Sequence, residues 1–321
     1  MRKIRIDFCD FSQNFSKTDN FFFKLLSERF EVELCDQPDF LIYCCCGYEH
    51  RLHSGVRIFF SGESDLPDFR ECDYSIACIK LDDPRHLQFP LYVYDVYGEP
   101  EEIIKKNDDV EKIMAAKKKF CSFVVGGYNR RKNHNRVAFF EKLSKYKKVD
   151  SGGKKFNNIG GPIPGGPRGK IVFLRQYKFN IAYENRSLSG YTTEKIFEPM
   201  VARCLPIYWG DPDINEHFNP RSFLNRSDFP TDEALIEKII ELDRDDAKYL
   251  EYLRQPYFYD DKPNQFFSRE RILGFFEKIF TTRITPVAQA GRKTFSFGRL
   301  FGRWTLVKRH HWHNTQPPTW Q

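Results

Sequence analysis

Tyr177-Lys-Phe-Asn-Ile-Ala-Tyr-Glu-Asn-Arg-Ser-Leu-Ser-Gly-Tyr-Thr-Thr-Glu-Lys195, running on through Ile196 to Trp209, is the stretch from which the rest of the chain can be read. Phe179 to Tyr183 has the length and content of a buried strand. Glu184 to Gly190 is a polar loop. Thr192 or Thr193 then caps a helix to about Arg203, with Ile196, Phe197, Met200 and Val201 at helical spacing. Cys204 to Trp209 is the next strand, and Gly210-Asp-Pro-Asp213 turns into a short helix. Strand, loop, helix, strand is one βαβ unit, and such a unit builds a parallel sheet.

Working outward, the same alternation recurs. Ile4, Ile6 and Phe8 share one face of a first strand. Phe21, Phe22, Leu25 and Leu26 predict a helix over 19–29, capped by Thr18 or Asp19. Phe40–Cys46, Val56–Phe60 and Tyr74–Ile79 have the length of buried strands. Residues 101–119 turn strongly charged, and a domain boundary is expected there, between 112 and 113. Beyond it Phe120–Val125 reads as a strand, Gly126-Gly127-Tyr128-Asn129 as a turn and Asn133–Lys145 as a helix. Residues 151–169, rich in glycine and proline, read as a mobile loop. Helices at 231–242, 246–254 and 264–280 close the folded part. The expectation is an α/β chain of two Rossmann-like domains, 1–112 and 113–285, facing a central cleft, with a tail over 286–321.

Charge separates the tail from the body. The 321 residues carry a net charge of +7. Arg292, Lys293, Arg299, Arg303, Lys308 and Arg309 supply nearly all of it, and no Asp or Glu follows Pro286. A nucleic-acid binder of this size spreads its basic residues through the folded part, so nucleic acid is not expected as a partner. As a helix, the tail would align Phe297, Leu300, Phe301, Trp304 and Val307 on one face, with arginines away from it. That is the pattern of a segment lying on an anionic membrane surface; a disordered basic tail is the plainer alternative. No apolar run reaches the length of a membrane span. The nine cysteines include no CxxC pair, so neither a zinc site nor a disulfide framework is expected, and the thiols are read as reduced and cytoplasmic. Cys44, Cys45 and Cys46 read as small apolar residues of a buried strand.

The chemistry is expected where strands give way to helices. A helix N-terminus offers free N–H groups and partial positive charge to a phosphate. Lys195 adds a full charge there, Glu194 can accept from sugar hydroxyls, and Tyr191 can lie against a ring. A capping box explains the same Thr–Glu spacing without any ligand. Asp211-Pro-Asp213 is a literal DxD, a pair of carboxylates that can hold a divalent metal. Asp213 as a helix cap is the preferred reading, and no metal ligand is expected.

The run from Tyr177 to Lys195, with Pro206-Ile-Tyr-Trp-Gly210 and Phe218-Asn-Pro-Arg-Ser-Phe223, resembles the signature of the α-1,3/1,4-fucosyltransferases, glycosyltransferase family 10, in its bacterial form. Arg57-Ile-Phe-Phe-Ser-Gly-Glu63, Pro67-Asp-Phe69, Asp73-Tyr74, Phe120–Val125 and Asn135-Arg136-Val-Ala-Phe-Phe140 extend the likeness over about 55–285. The resemblance implies a GT-B fold, with acceptor on the first half and GDP-fucose on the second, and inversion at the fucose anomeric carbon. It implies Glu63 as general base, Arg136 and Lys195 on the donor diphosphate, and Asn185, Tyr191 and Glu194 lining the nucleotide-sugar pocket. The product would be an α-1,3 or α-1,4 linkage to GlcNAc (or glucose) of a glycan, such as a glycoprotein chain or lipopolysaccharide, made at the inner membrane face. No cofactor is required, although a divalent metal could stimulate.

These roles suit the residues. An inverting transfer needs one base opposite the leaving group, and Glu63 follows a strand through a Ser-Gly turn. A departing diphosphate needs counter-charge, from a metal or from Arg and Lys. A non-catalytic nucleotide-sugar or glycan binder of the same fold is the alternative. Such a binder has no use for both Glu63 and the Glu194-Lys195 pair.

Overall fold

The computed structural model describes residues 1–290 except 95, 96, 98, 105–107, 127–133, 155 and 164. In chain order its elements are β1 (Arg2–Cys9), α1 (Phe21–Ser27), β2 (Phe30–Leu34), β3 (Phe40–Tyr43), β4 (Val56–Ser61), β5 (Tyr74–Ala77), β6 (His86–Gln88), α2 (Val110–Ala116), β7 (Lys119–Phe123), α3 (His134–Ser144), β8 (Val149–Ser151), α4 (Gly166–Leu174), β9 (Tyr177–Tyr183), α5 (Glu194–Val201), β10 (Leu205–Trp209), β11 (Leu224–Asn225), α6 (Asp232–Arg244), α7 (Asp246–Leu253), α8 (Arg269–Thr281) and α9 (Val287–Ala290), with short 3-10 turns between. They form two compact units. Among the described residues, the first holds 1–77, 81–88 and 268–290, and the second holds 78–80 and 89–267.

The first unit is a six-stranded sheet in the order β2-β1-β3-β4-β5-β6. All its pairings are parallel. Asn20 caps α1, its side chain accepting the Phe23 N–H at 2.9 Å. The cap expected at Thr18 or Asp19 therefore lies one residue further on, where a carboxamide can reach into the first turn. The unit ends with a return of the chain. α8 buries Ile272, Leu273, Phe276, Ile279 and Phe280. Phe276 meets Phe22 edge-on and Phe280 meets Phe30 edge-on, at 6.0 and 5.2 Å between ring centres. Each buried phenylalanine contributes about 1.5–3 kcal/mol. This stripe matches the first sheet, so α8, expected in the domain 113–285, belongs to the first unit, and the division of the chain falls near residue 89 rather than 112. The tail expected from 286 also begins later. The Val287 N–H donates to Asp73 Oδ1 at 2.8 Å and Gln289 donates to the Ser54 carbonyl at 2.9 Å. Residues 291–321, with the stripe Phe297 to Val307 and the six cations, lie outside the described residues.

The second unit is a five-stranded parallel sheet in the order β11-β10-β9-β7-β8. Its core joins Phe120, Phe123, Phe139, Phe179, Tyr183, Ile207, Leu235, Ile239 and Tyr249. The glycine-rich segment is not wholly loop: β8 ends at Ser151 and α4 starts at Gly166, after Gly165 at φ +85°. Between them, Asn158 accepts the Ser151 N–H at 2.7 Å and donates to the Val149 carbonyl at 2.9 Å. The turn residues Gly127 to Asn129 and the cations Arg130, Arg131 and Lys132 lie outside the described residues.

Both sheets place the second strand outside the first and the third on its other side, the order 2-1-3-4-5 of doubly wound α/β proteins. Taken by itself, each unit is the Rossmann-like half expected. Among the described residues, no helix is long and apolar enough to cross a membrane.

Candidate active site

In such a sheet, the loops leaving the first and third strands part in opposite directions, and ligands sit outside the strand ends at that point. In the second unit the point lies between β7 and β9. Arg136 is the third residue of α3, which follows β7, and Asn185 is the second residue after β9. Their side chains meet there, the Arg136 guanidinium donating to Asn185 Oδ1. The hydrogen bond thus spans the gap. Arg136 is 6% exposed, so its charge sits in low dielectric, where it acts more strongly on an anion than a surface arginine does.

Beside Asn185, Glu184 is fully buried. Its carboxylate accepts the Thr193 N–H and hydroxyl, each at 2.8 Å, and lies 3.2 Å from Lys195 Nζ. Thr193 caps α5 and takes a 2.9 Å hydrogen bond from Lys195 Nζ. Glu194 Oε1 completes the ring at 3.3 Å from the same ammonium. The capping reading therefore holds, and the cap keeps the lysine in place. Burial raises the Glu184 pKa, and Lys195 opposes the rise. For Glu194 burial again pushes upward, but Lys195 and Lys170 outweigh it and the pKa is lowered. Gly210, after β10, makes room for this carboxylate. A Cβ there would lie 2.5 Å from Glu184 Cγ.

A turn deeper in α5, Glu198 is 2% exposed and paired with Lys170 of α4. Burial lifts its pKa to about 7 against the pull of Lys170. This second pair was not legible in the sequence, because nothing in the spacing of residues 170 and 198 links α4 to α5.

Two expectations change. Tyr191 is 0% exposed; its ring is part of the interior wall of the loop, closed in after Gly190 at φ +79°, not an open platform. Asp213 does stand at the cap position of a short turn, but its side chain makes no capping bond and accepts the Ser189 hydroxyl instead. Asp211, 3% exposed, accepts the Gly190 N–H at 2.9 Å, the Thr192 hydroxyl at 2.7 Å and the Asp213 N–H at 2.8 Å. The DxD pair is thus a clamp on the loop 189–192, its oxygens turned to protein donors.

Glu63 belongs to the first unit. It is half-buried, two residues beyond the end of β4. Its N–H donates to Ser61 Oγ at 3.1 Å, and that hydroxyl donates to Asp65 at 3.0 Å. The turn sets the carboxylate at the carboxyl end of a central strand. Arg136, Asn185, Glu194 and Lys195 come together on the second unit; Glu63 stands on the other.

Two family models match the chain. An α-(1,3)-fucosyltransferase N-terminal domain matches residues 6–97, and the C-terminal part of glycosyltransferase family 10 (fucosyltransferase) matches residues 114–275. An α-(1,3)-fucosyltransferase of Helicobacter pylori is 29% identical over 304 residues, covering 79% of this chain and 60% of that protein. The chain therefore spans well under two thirds of that relative's length. A 4-galactosyl-N-acetylglucosaminide 3-α-L-fucosyltransferase of Pongo pygmaeus is 33% identical over 44% of this chain and 38% of its own. A crystal structure of an α1,3-fucosyltransferase with GDP-fucose superposes with a TM-score of 0.72 at 27% identity, over 89% of this chain and 93% of that one.

Proposed function

This chain belongs to glycosyltransferase family 10, the fucosyltransferases, and from that premise we propose that it moves L-fucose from GDP-fucose to a hydroxyl of GlcNAc, or of glucose, in a glycan. The linkage is α-1,3, with α-1,4 the other product to test. The observation that carries the reading is the cationic pair at the β7/β9 gap and the start of α5: Arg136 spanning to Asn185, and Lys195 held by Glu184, Thr193 and Glu194. A leaving diphosphate needs fixed positive charge in low dielectric, and both groups are already positioned. A relative named for 3-α-L-fucosyl transfer and a matching structure with GDP-fucose support the donor and the acceptor class.

In the reaction, the acceptor oxygen bonds to the fucose anomeric carbon as the bond from that carbon to the phosphate oxygen breaks. The electron pair leaves with GDP, its charge met by Arg136 and Lys195. The acceptor proton goes to the Glu63 carboxylate, and attack opposite the leaving group inverts the centre. The transition state has oxocarbenium character. No metal is needed for the diphosphate, so transfer should survive EDTA. At the sequence level, the basic, aromatic tail supports reversible attachment to anionic lipid at the inner membrane face, at about 1 kcal/mol per charge near the surface.

The test is transfer from GDP-fucose and from a panel of other nucleotide sugars to an array of GlcNAc- and glucose-terminated acceptors. Release of GDP from GDP-fucose alone, with fucosylated product, is expected. Binding of GDP-fucose without transfer to any acceptor would show a binding protein instead.

A further inference from the structure

The first unit has its own point of divergence, between β1 and β3, and there the chain places three thiols. β3 ends at Tyr43, so Cys44, Cys45 and Cys46 lie in the turn beyond it, the last two exposed. They are not the buried apolar residues expected of a strand. The turn folds consecutive side chains to one side, and the three sulfurs all lie within 4.8 Å of one another. Cys44 and Cys45 Sγ are 3.8 Å apart. Thiolates bound to one tetrahedral ion at about 2.3 Å stand about 3.8 Å from each other; this pair has that separation, and the third sulfur is within 4.8 Å of both.

The turn is braced. Asp10, after β1 and at φ +60°, accepts the Cys46 N–H on its carbonyl at 2.9 Å. Its carboxylate accepts the Glu49 N–H at 2.9 Å, the His50 N–H at 3.1 Å and His50 Nδ1 at 2.6 Å. Gly47 lets the backbone pass over this carboxylate, since a Cβ there would lie 2.3 Å from Asp10 Oδ1. A thiolate is the metal-binding form, and two of the three thiols are exposed to an entering ion.

We propose that Cys44, Cys45 and Cys46 form a three-thiolate binding site for a thiophilic d10 cation of the Zn(II) class, with the fourth position open to solvent at the exposed turn. Binding releases the thiol protons to solvent. The cation site stands apart from the transfer reading.

The test uses the full, reduced chain, stripped of metal, titrated with Cd(II) and followed by the ultraviolet thiolate-to-cadmium charge-transfer band, with Zn(II) as competitor. One ion per chain is expected, displaced by Zn(II). Cys45→Ser and Cys46→Ser, both at exposed positions, should each weaken binding on the order of 10–100-fold with an unchanged melting temperature. Cys35→Ser, the other accessible thiol, should bind as the parent does. No charge-transfer band, or a band unchanged in Cys45→Ser and Cys46→Ser, overturns the site. A chain that binds cadmium normally but transfers nothing, metal-free, counts against the transfer reading and not against the site.

Discussion

The two units share a strand order and differ in what stands at the gap between their first and third strands. In the second unit the gap holds a nearly buried arginine bonded to a carboxamide, beside a lysine locked between two carboxylates. In the first it holds a braced carboxylate, a buried histidine and three thiols, with Glu63 one strand further along. The same topology thus places fixed positive charge in one unit and carboxylates with clustered thiols in the other. A shared fold supplies the position outside the strand ends; the chemistry comes from the few loop residues placed there.

The widest way to separate the two is to remove the base and leave the cations. Glu63→Gln should lower transfer about 10²–10⁴-fold, the usual worth of a general base, while calorimetry shows GDP-fucose binding unchanged. A variant with near-parental turnover would take Glu63 out of the mechanism. The converse change is Lys195→Ala. It should weaken GDP binding and also destabilise the chain by about 3 kcal/mol, because Glu184 is left buried without its counter-charge. Adding Glu184→Gln should restore the melting temperature without restoring GDP affinity. Recovery of both would mean that Lys195 serves only the fold.

A smaller contrast compares the glycines at the two gaps. Gly210→Ala and Gly47→Ala each press a methyl group against a carboxylate held by several donors, and each should cost about 1–3 kcal/mol in denaturant unfolding. Gly210→Ala should in addition disturb Lys195 and so raise the Kd for GDP, whereas Gly47→Ala should leave it alone. The last contrast is a pH slope confined to the second unit. Glu198 has a folded pKa of about 7, above its ordinary value of 4.5. The folded chain keeps this proton when the unfolded chain has lost it, so stability should fall as pH rises from about 4.5 and level off above about 7. Glu198→Gln should flatten that segment of the stability–pH curve; an unchanged slope would place its origin elsewhere.

How far the sequence reaches is visible in particular elements. β1, β4, β9, α5 and β10 are long or strongly patterned, and apolar spacing places them within a few residues. The two-residue β11 and three-residue β6 and β8 are too short to show a period. α4 was hidden by glycine and proline, because those residues report local freedom and not the helix that follows at Gly166. The Asp213 cap failed, and the role of Asp211 went unseen, for another reason. A DxD is the same three letters whether its oxygens face a metal or, as here, the N–H groups of its own loop.

The sequence by itself determined the alternation of strands and helices and the family, because these follow from short-range periodicity and from a long motif. Only the tertiary structure decided that α8 returns to the first sheet, that Tyr191 is walled in, that Glu198 finds Lys170, and that three consecutive cysteines gather beyond a strand instead of alternating within it. Each of these depends on residues far apart in the chain, or on where a strand stops. Burial, the quantity that sets a pKa or frees a thiol, is a property of all the neighbours together and is written in no single stretch of sequence.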